Sequence, residues 1–286
     1  MKIYKFKQFL YILCLSFILI CGMDLNPHTV YGNEDETETE SLKQDWFTYK
    51  VDDNGVTIIG SRIDLPYNYF KKNYPDVLTI PNKVNGVKVV AAEPHMFVEN
   101  PYECPVGSKT IKCSDYMTTV NMDSFSDLFN YGAEKTIILG KYTRHFNQFN
   151  VTGSYEESFF FNEIKVPKKA AYLKAAKNGA VYTKDGKVLV AYPSNHRRKS
   201  LKVSSSTVEI EDYAFCEAKI ETITLPKSVK KVSVHAFENF MPSYYDDFYN
   251  GGSSRKAVVK VPKSKLKYYK KVFGNTKGFK GELVTY

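Results

Sequence analysis

The sequence predicts a mainly β repeat solenoid, and three observations carry that prediction. The first is a unit written twice: Leu201-Lys-Val203 returns as Ile223-Thr-Leu225, and Tyr213-Ala-Phe215 returns as His235-Ala-Phe237, each 22 residues on. A fixed period in the twenties marks an array whose units bury their apolar sides only against their neighbours. The second is the pattern apolar-x-apolar-Pro. It occurs as Leu78-Thr-Ile80-Pro81, Ile164-Lys-Val166-Pro167, Ile223-Thr-Leu225-Pro226 and Val259-Lys-Val261-Pro262, and Leu201-Lys-Val203-Ser204 lacks only the proline. Each copy reads as a short strand with two inward apolar residues and a polar residue facing out between them. Proline has no N–H to donate, so it closes the strand. The third is the Ala-Phe pair, which drops a ring into the interior before the next strand; Phe97 takes this part in the first unit.

The elements follow in order. Residues 1–32 read as a secretory signal: Lys2, Lys5 and Lys7 precede an uncharged run from Phe9 to Cys21, too short for a spanning helix. Cleavage is expected after Gly32, following Val30-Tyr-Gly32, with lipidation of Cys21 as the alternative; only the latter ties the chain to a membrane. Residues 33–45 form a polar, acidic leader. Residues 46–77 are expected to cap the array with a hairpin, Trp46–Val51 and Val56–Ile59 around a turn at Gly55. The array then runs over 78–286. Its strand spacing is 22 from Val203 to Leu225, but 37 from Val166 to Val203 and 36 from Leu225 to Val261, which predicts insertions at 178–193 and 241–254. The first reads as a hairpin turning at Asp185-Gly186. Residues 98–135 are expected as a further insertion or as degenerate units. A short basic helix over Lys263–Phe273 and a strand over 281–286 close the array.

These residues carry a family likeness. The unit I-x-L-P-x-S-V-x-x-V-x-x-x-A-F, the opening L-x-I-P-x-x-V-x-G-x-x-V at Leu78–Val89, the G-x-x-Y-x-x-D-G-x-x-L-x-x-Y-P hairpin at Gly179–Pro193 and the V-x-V-P-K-x-x-x-x-x-Y-K run at Val259–Lys270 together resemble the BspA-type (Treponema pallidum-type) leucine-rich repeat of bacterial surface proteins. The resemblance implies a right-handed solenoid with short parallel strands along one curved face. It also implies an exported, non-enzymatic protein that binds host proteins, matrix or other microbes. The alternative is a structural or assembly component of the envelope without a host ligand. No ligand residue carries over, because the repeat motif is a scaffold motif.

Chemistry-bearing residues point the same way. The sequence contains no GxSxG, HExxH, Walker or dinucleotide motif, so no catalytic residue, cofactor or metal is expected. His95 and His235 track the repeat and serve the scaffold, while His145 and His196 fall in loops. Cys216 follows a repeat Phe and reads as a buried apolar thiol rather than a nucleophile paired with His235. Cys104 and Cys113 lie nine positions apart and are candidates for a disulfide outside the cell. Asp246-Asp247 with Asn250 lack the spacing of a calcium loop. Two surfaces are candidates for a protein or glycan partner. One is a ladder of outward lysines, Lys165, Lys202 and Lys260, alternating with Thr79 and Thr224. The other is the aromatic loop with Tyr244, Tyr245, Phe248 and Tyr249. After removal of 1–32, 37 basic residues face 30 acidic ones, a net charge of +7 that, with export, disfavours nucleic acid as a partner.

Overall fold

The structure, a computed structural model, describes residues 47–61, 75–93, 108–125, 134–148, 161–238, 257–276, 279 and 281–286. The signal, the leader, Trp46, His95, Phe97, Cys104 and the aromatic loop 241–254 lie outside the described residues.

The opening hairpin forms as expected. Strands β1 (Phe47–Asp52) and β2 (Gly55–Ser61) pair antiparallel. Asp52 Oδ1 accepts the N–H groups of Asn54 and Gly55, which closes the turn. Strands β3 (Val77–Thr79) and β4 (Lys83–Val84) follow, and β4 folds back on β5 (Val87–Ala92). β2 pairs in parallel with β5, setting Val56 against Val89. The hairpin thereby covers the open end of the apolar interior with Phe47, Val56 and Ile58.

Each coil contributes a first strand whose middle residue points inward. β3, β6 (Thr110–Lys112), β8 (Thr136–Ile138) and β10 (Glu163–Lys165) form one parallel sheet, with Leu78, Ile111, Ile137 and Ile164 buried in register. Second strands β7 (Thr119–Asn121) and β9 (His145–Asn147) pair in parallel on another side, with Val120 against Phe146. The described part of 98–135 is therefore repeat material and no insertion. Ile111-Lys-Cys113 is a strand motif whose closing proline is replaced by Ser114, and its inward cysteine sits where other coils carry Ile80 and Leu139.

The hairpin at 178–193 forms at the expected residues as β12 (Val181–Thr183) and β13 (Val188–Ala191), joined by an additional edge strand, β11 (Leu173–Ala175). Its role exceeds that of an insertion. Val181 and Val190 pack into the core of the first coils, while Tyr182 and Leu189 pack into that of the later ones. Alternate residues of a strand point to opposite faces, so the hairpin is a partition buried on both sides. β13 then pairs in parallel with β15 (Glu209–Ile210), and β15 with β17 (Lys231–Val232), in a sheet separate from that of β7 and β9. Beyond the partition a new first-strand sheet starts: β14 (Ser200–Lys202), β16 (Thr222–Thr224), β18 (Val258–Val261) and β19 (Glu282–Thr285), all parallel. β10 and β14 are not paired; each is the edge of its own sheet.

The Ala-Phe signal holds in the coils beyond the partition. Phe215 and Phe237 are fully buried, with ring centroids 4.9 Å apart at 15°. The closing elements also match. A 3₁₀ turn (Lys263–Lys265) leads into α1 (Leu266–Gly274), which buries Tyr269 and Phe273. Tyr269 Oη donates to the Pro226 carbonyl at 3.0 Å, tying the helix to the last coils.

One turn in this region carries a pH response. Glu217 adopts a left-handed φ of +55° and its N–H donates to the Glu238 carbonyl. Burial pushes its carboxyl from 4.5 up to about 7, against the opposing pull of Lys219. The folded state thus favours the protonated form. Its contribution is complete below the unfolded value near 4.5 and is lost as pH rises through about 7. Glu217→Gln is expected to remove this loss, making the variant more stable than the parent by about 1–3 kcal/mol at pH 8 and equal to it at pH 4. Denaturant unfolding at the two pH values checks this. Equal stabilities at pH 8 would exclude an ionisation penalty at this residue.

Candidate binding surface

The turns that follow the first strands carry the most ordered set of exposed side chains. Three successive turns read Pro81-Asn82, Ser114-Asp115-Tyr116 and Gly140-Lys141-Tyr142, and they are locked to one another by side chains. Asn82 Oδ1 accepts the Asp115 N–H at 2.7 Å, and Asp115 Oδ1 accepts the Lys141 N–H at 3.0 Å. The Asp115 carbonyl accepts from Tyr142, and the Lys141 carbonyl from Ala171. Beneath them, the buried Ser114 hydroxyl donates to the Val89 carbonyl and the buried Thr143 hydroxyl to that of Met117. Short polar side chains here take over the backbone bonding that turns leave unmade. Gly140 is required by space: a Cβ there would lie 2.0 Å from the Ser114 carbonyl oxygen.

This register aligns rings and cations along one edge of the array. Tyr116 and Tyr142 stack with centroids 5.8 Å apart at 24°. Lys88 Nζ lies 4.8 Å from the Tyr116 ring centre, and Lys141 Nζ lies 4.8 Å from that of Tyr142. The Arg144 guanidinium sits 3.9 Å over the exposed ring of Tyr172 and donates to its hydroxyl. Tyr142 also holds the Lys141 ammonium above its usual pKa. Among the described residues no carboxylate forms an ion pair with Lys88, Lys141 or Arg144. Rings hold these cations in place; Asp115, which bonds the Lys141 N–H, acts on the Lys141 ammonium without pairing with it, and cations held this way meet a ligand of opposite charge at low entropic cost.

The lysine ladder expected from the sequence is divided. Lys165 stands in register with Ile138, Lys112 and Thr79, whereas Lys202, Thr224, Lys260 and Val284 belong to the other sheet. The partition hairpin separates them, and Lys165 is paired with Glu163 on its own strand at 3.1 Å. At that break a cleft of about 800 Å³ lies above β8 and β10, lined also by Ala175, Ala176, Lys177, Gly179, His196 and the ion-paired Arg197 and Glu134.

The three described histidines, His145, His196 and His235, have partners. His145 lies in β9 rather than a loop, 3.4 Å from Glu211 across two coils. His196 accepts the Arg198 N–H on Nδ1 and packs on Tyr192 and against Gly179, with burial and Arg198 lowering its pKa. His235 stacks on Tyr213, the residue one repeat earlier, and bonds Glu238. Cys113, read as half of a disulfide, is a free thiol instead: it occupies an inward strand position and burial pushes it up to about 12. Cys216 is also free and buried, with Glu217 and Glu238 adding to burial in raising its pKa, the opposite of what a nucleophile needs. Among the described residues no three His, Cys, Asp or Glu side chains are placed to hold a metal.

Sequence reasoning missed the tyrosine row. Its signal was present: Ile111-Lys-Cys-Ser-Asp-Tyr116 and Ile137-Ile-Leu-Gly-Lys-Tyr142 repeat apolar-x-apolar-x-x-Tyr 26 residues apart.

Short parallel strands stacked coil on coil, with one inward residue per strand, are the architecture of a leucine-rich repeat array. Residues 191–245 match the family model of the BspA type leucine rich repeat region (6 copies), and this segment is a repeat region of that type. Three solved structures are similar to the chain. A leucine-rich repeat protein from Eubacterium ventriosum is 13% identical, with 76% of this chain and 64% of that one covered and a TM-score of 0.36. A leucine rich cell surface protein from Faecalibacterium prausnitzii is 21% identical, with 62% and 42% covered and a TM-score of 0.39. The pneumococcal vaccine antigen PcpA is 14% identical, with 68% and 66% covered and a TM-score of 0.28. The chain thus spans less than two thirds of the length of the first two. No protein of curated function matches the sequence.

Proposed function

We propose that this chain is an exported bacterial binding protein, displayed at or released from the cell surface, that holds a protein or glycan of another surface without chemical conversion. The observation that carries this reading is the row of Lys88, Tyr116, Tyr142, Lys141, Arg144 and Tyr172. Its side chains are set by backbone register and by one another, and among the described residues its cations form no ion pair. A surface of this kind has its ordering entropy settled before a ligand arrives. The amino-terminal signal and the BspA-type repeats support placement outside the cell. The test is binding of the purified chain to immobilised matrix proteins, mucins and glycans. The reading expects saturable binding to at least one of them, reduced when Tyr116 and Tyr142 are both replaced by alanine. Absence of binding across the whole panel would overturn it in favour of an envelope component without a ligand.

A further inference from the structure

The geometry points to a linear polyanionic glycan, sulfated or carboxylated along its length, as the ligand of the turn row; this rests on the binding role proposed above. Three features of the row select that chemistry. First, cations outnumber the single carboxylate of the row where a ligand would lie. Lys88, Lys141 and Arg144 are held over rings, and Lys168 and Lys169 stand in the adjoining turn before Ala170, whose neighbour Ala171 bonds the Lys141 carbonyl. The one carboxylate within the row, Asp115, has both oxygens engaged, Oδ1 by the Lys141 N–H and Oδ2 by the Asn82 amide.

Second, the row is periodic and runs along the stacking direction. Neighbouring strands advance by about 4.8 Å, so Tyr116 and Tyr142 repeat with the coils, and the pairs Lys88–Tyr116, Lys141–Tyr142 and Arg144–Tyr172 set one cation over each ring for an extended anionic chain to meet. A folded acidic protein presents carboxylates with no such regularity. Third, neither of the two described clefts lies along the row, so neither gives it a seat for the buried aromatic or aliphatic anchor that protein partners favour. What it offers instead is a flat line of N–H donors and tyrosine hydroxyls, suited to a hydroxyl-rich chain.

The experiment is titration of the purified full chain with a heparin-derived sulfated oligosaccharide across salt concentrations, beside a neutral glucan and poly-glutamate. Three engaged cations predict a slope of log K against log salt of about −2, each contact releasing somewhat less than one counterion. Lys88→Ala/Lys141→Ala/Arg144→Ala together should weaken binding by about 10- to 100-fold with circular dichroism unchanged. Asp115→Asn keeps an acceptor for the Lys141 N–H but removes the opposing charge, and should tighten binding. A salt-independent affinity, or a triple variant that binds as the parent does, overturns the assignment. Poly-glutamate binding as tightly as the oligosaccharide would also overturn it, in favour of an acidic protein. If the panel binding proposed above persists and depends on the tyrosines while the oligosaccharide fails, the binding role stands and the polyanion does not.

Discussion

Phe237→Ala is expected to lower the stability of the chain by about 3–5 kcal/mol, the range for removing a large buried ring. Phe237 is fully buried and touches three other rings: Phe215 at 4.9 Å, Phe273 at 5.2 Å and Phe279 at 5.4 Å. Each contact adds about 0.5–1.5 kcal/mol beyond the area removed from water. The cavity cannot close easily, because Phe215 belongs to the preceding coil, its turn backbone bonded to Ala236 and Ala218, and Phe273 is held in α1. In a solenoid each unit is stabilised by its neighbours, so the loss should free the closing helix from the last coil. At about 2–4 °C per kcal/mol for a chain of this size, thermal unfolding should start roughly 10 °C lower. A loss below about 1 kcal/mol would mean that the Ala-Phe ring is dispensable to coil stacking.

Gly140→Ala should act on stability and binding together. The added Cβ would meet the backbone of the preceding turn: the Ser114 oxygen at 2.0 Å, the Ser114 carbonyl carbon at 2.9 Å and the Asp115 Cα at 3.0 Å. No side chain can swing away, so the second and third coils must separate. Overpacking of this kind costs about 1–3 kcal/mol and more where backbone must move. The same displacement breaks the Asp115–Lys141 bond and unstacks Tyr116 from Tyr142, so affinity at the row should fall although no contacting residue is altered. Denaturant unfolding and ligand titration on one preparation check both. A variant with parental stability would contradict the close approach of these coils.

How much of this was legible in the sequence depended on whether a residue's role repeats. The strand motif fixes its own inward residues, so Leu78, Ile164, Leu201, Ile223 and Val259 were readable as core from period alone. The hairpin at Asp185-Gly186 and the closing helix and strand also follow from local chemistry. Ile111-Lys-Cys113 was lost because serine stands where four other copies carry proline, and because a cysteine suggested a disulfide rather than a leucine equivalent. The lysine ladder failed for a different reason. A motif states that Lys165 and Lys202 face outward, but not that a hairpin buried on both faces divides the sheet between them. The tyrosine row depends on the register between turns. That register is set by Asn82 and Asp115 side chains bonding 33 and 26 residues away, which no local pattern announces.

The most direct test of this account compares two triple variants in the same binding assay: Lys88→Ala/Lys141→Ala/Arg144→Ala on the turns and Lys165→Ala/Lys202→Ala/Lys260→Ala on the strand faces. Both remove three positive charges, so net charge cannot distinguish them. The account predicts that the turn variant loses about tenfold or more in affinity while the strand-face variant stays close to the parent. The reverse order would place the binding surface on the strands and contradict it.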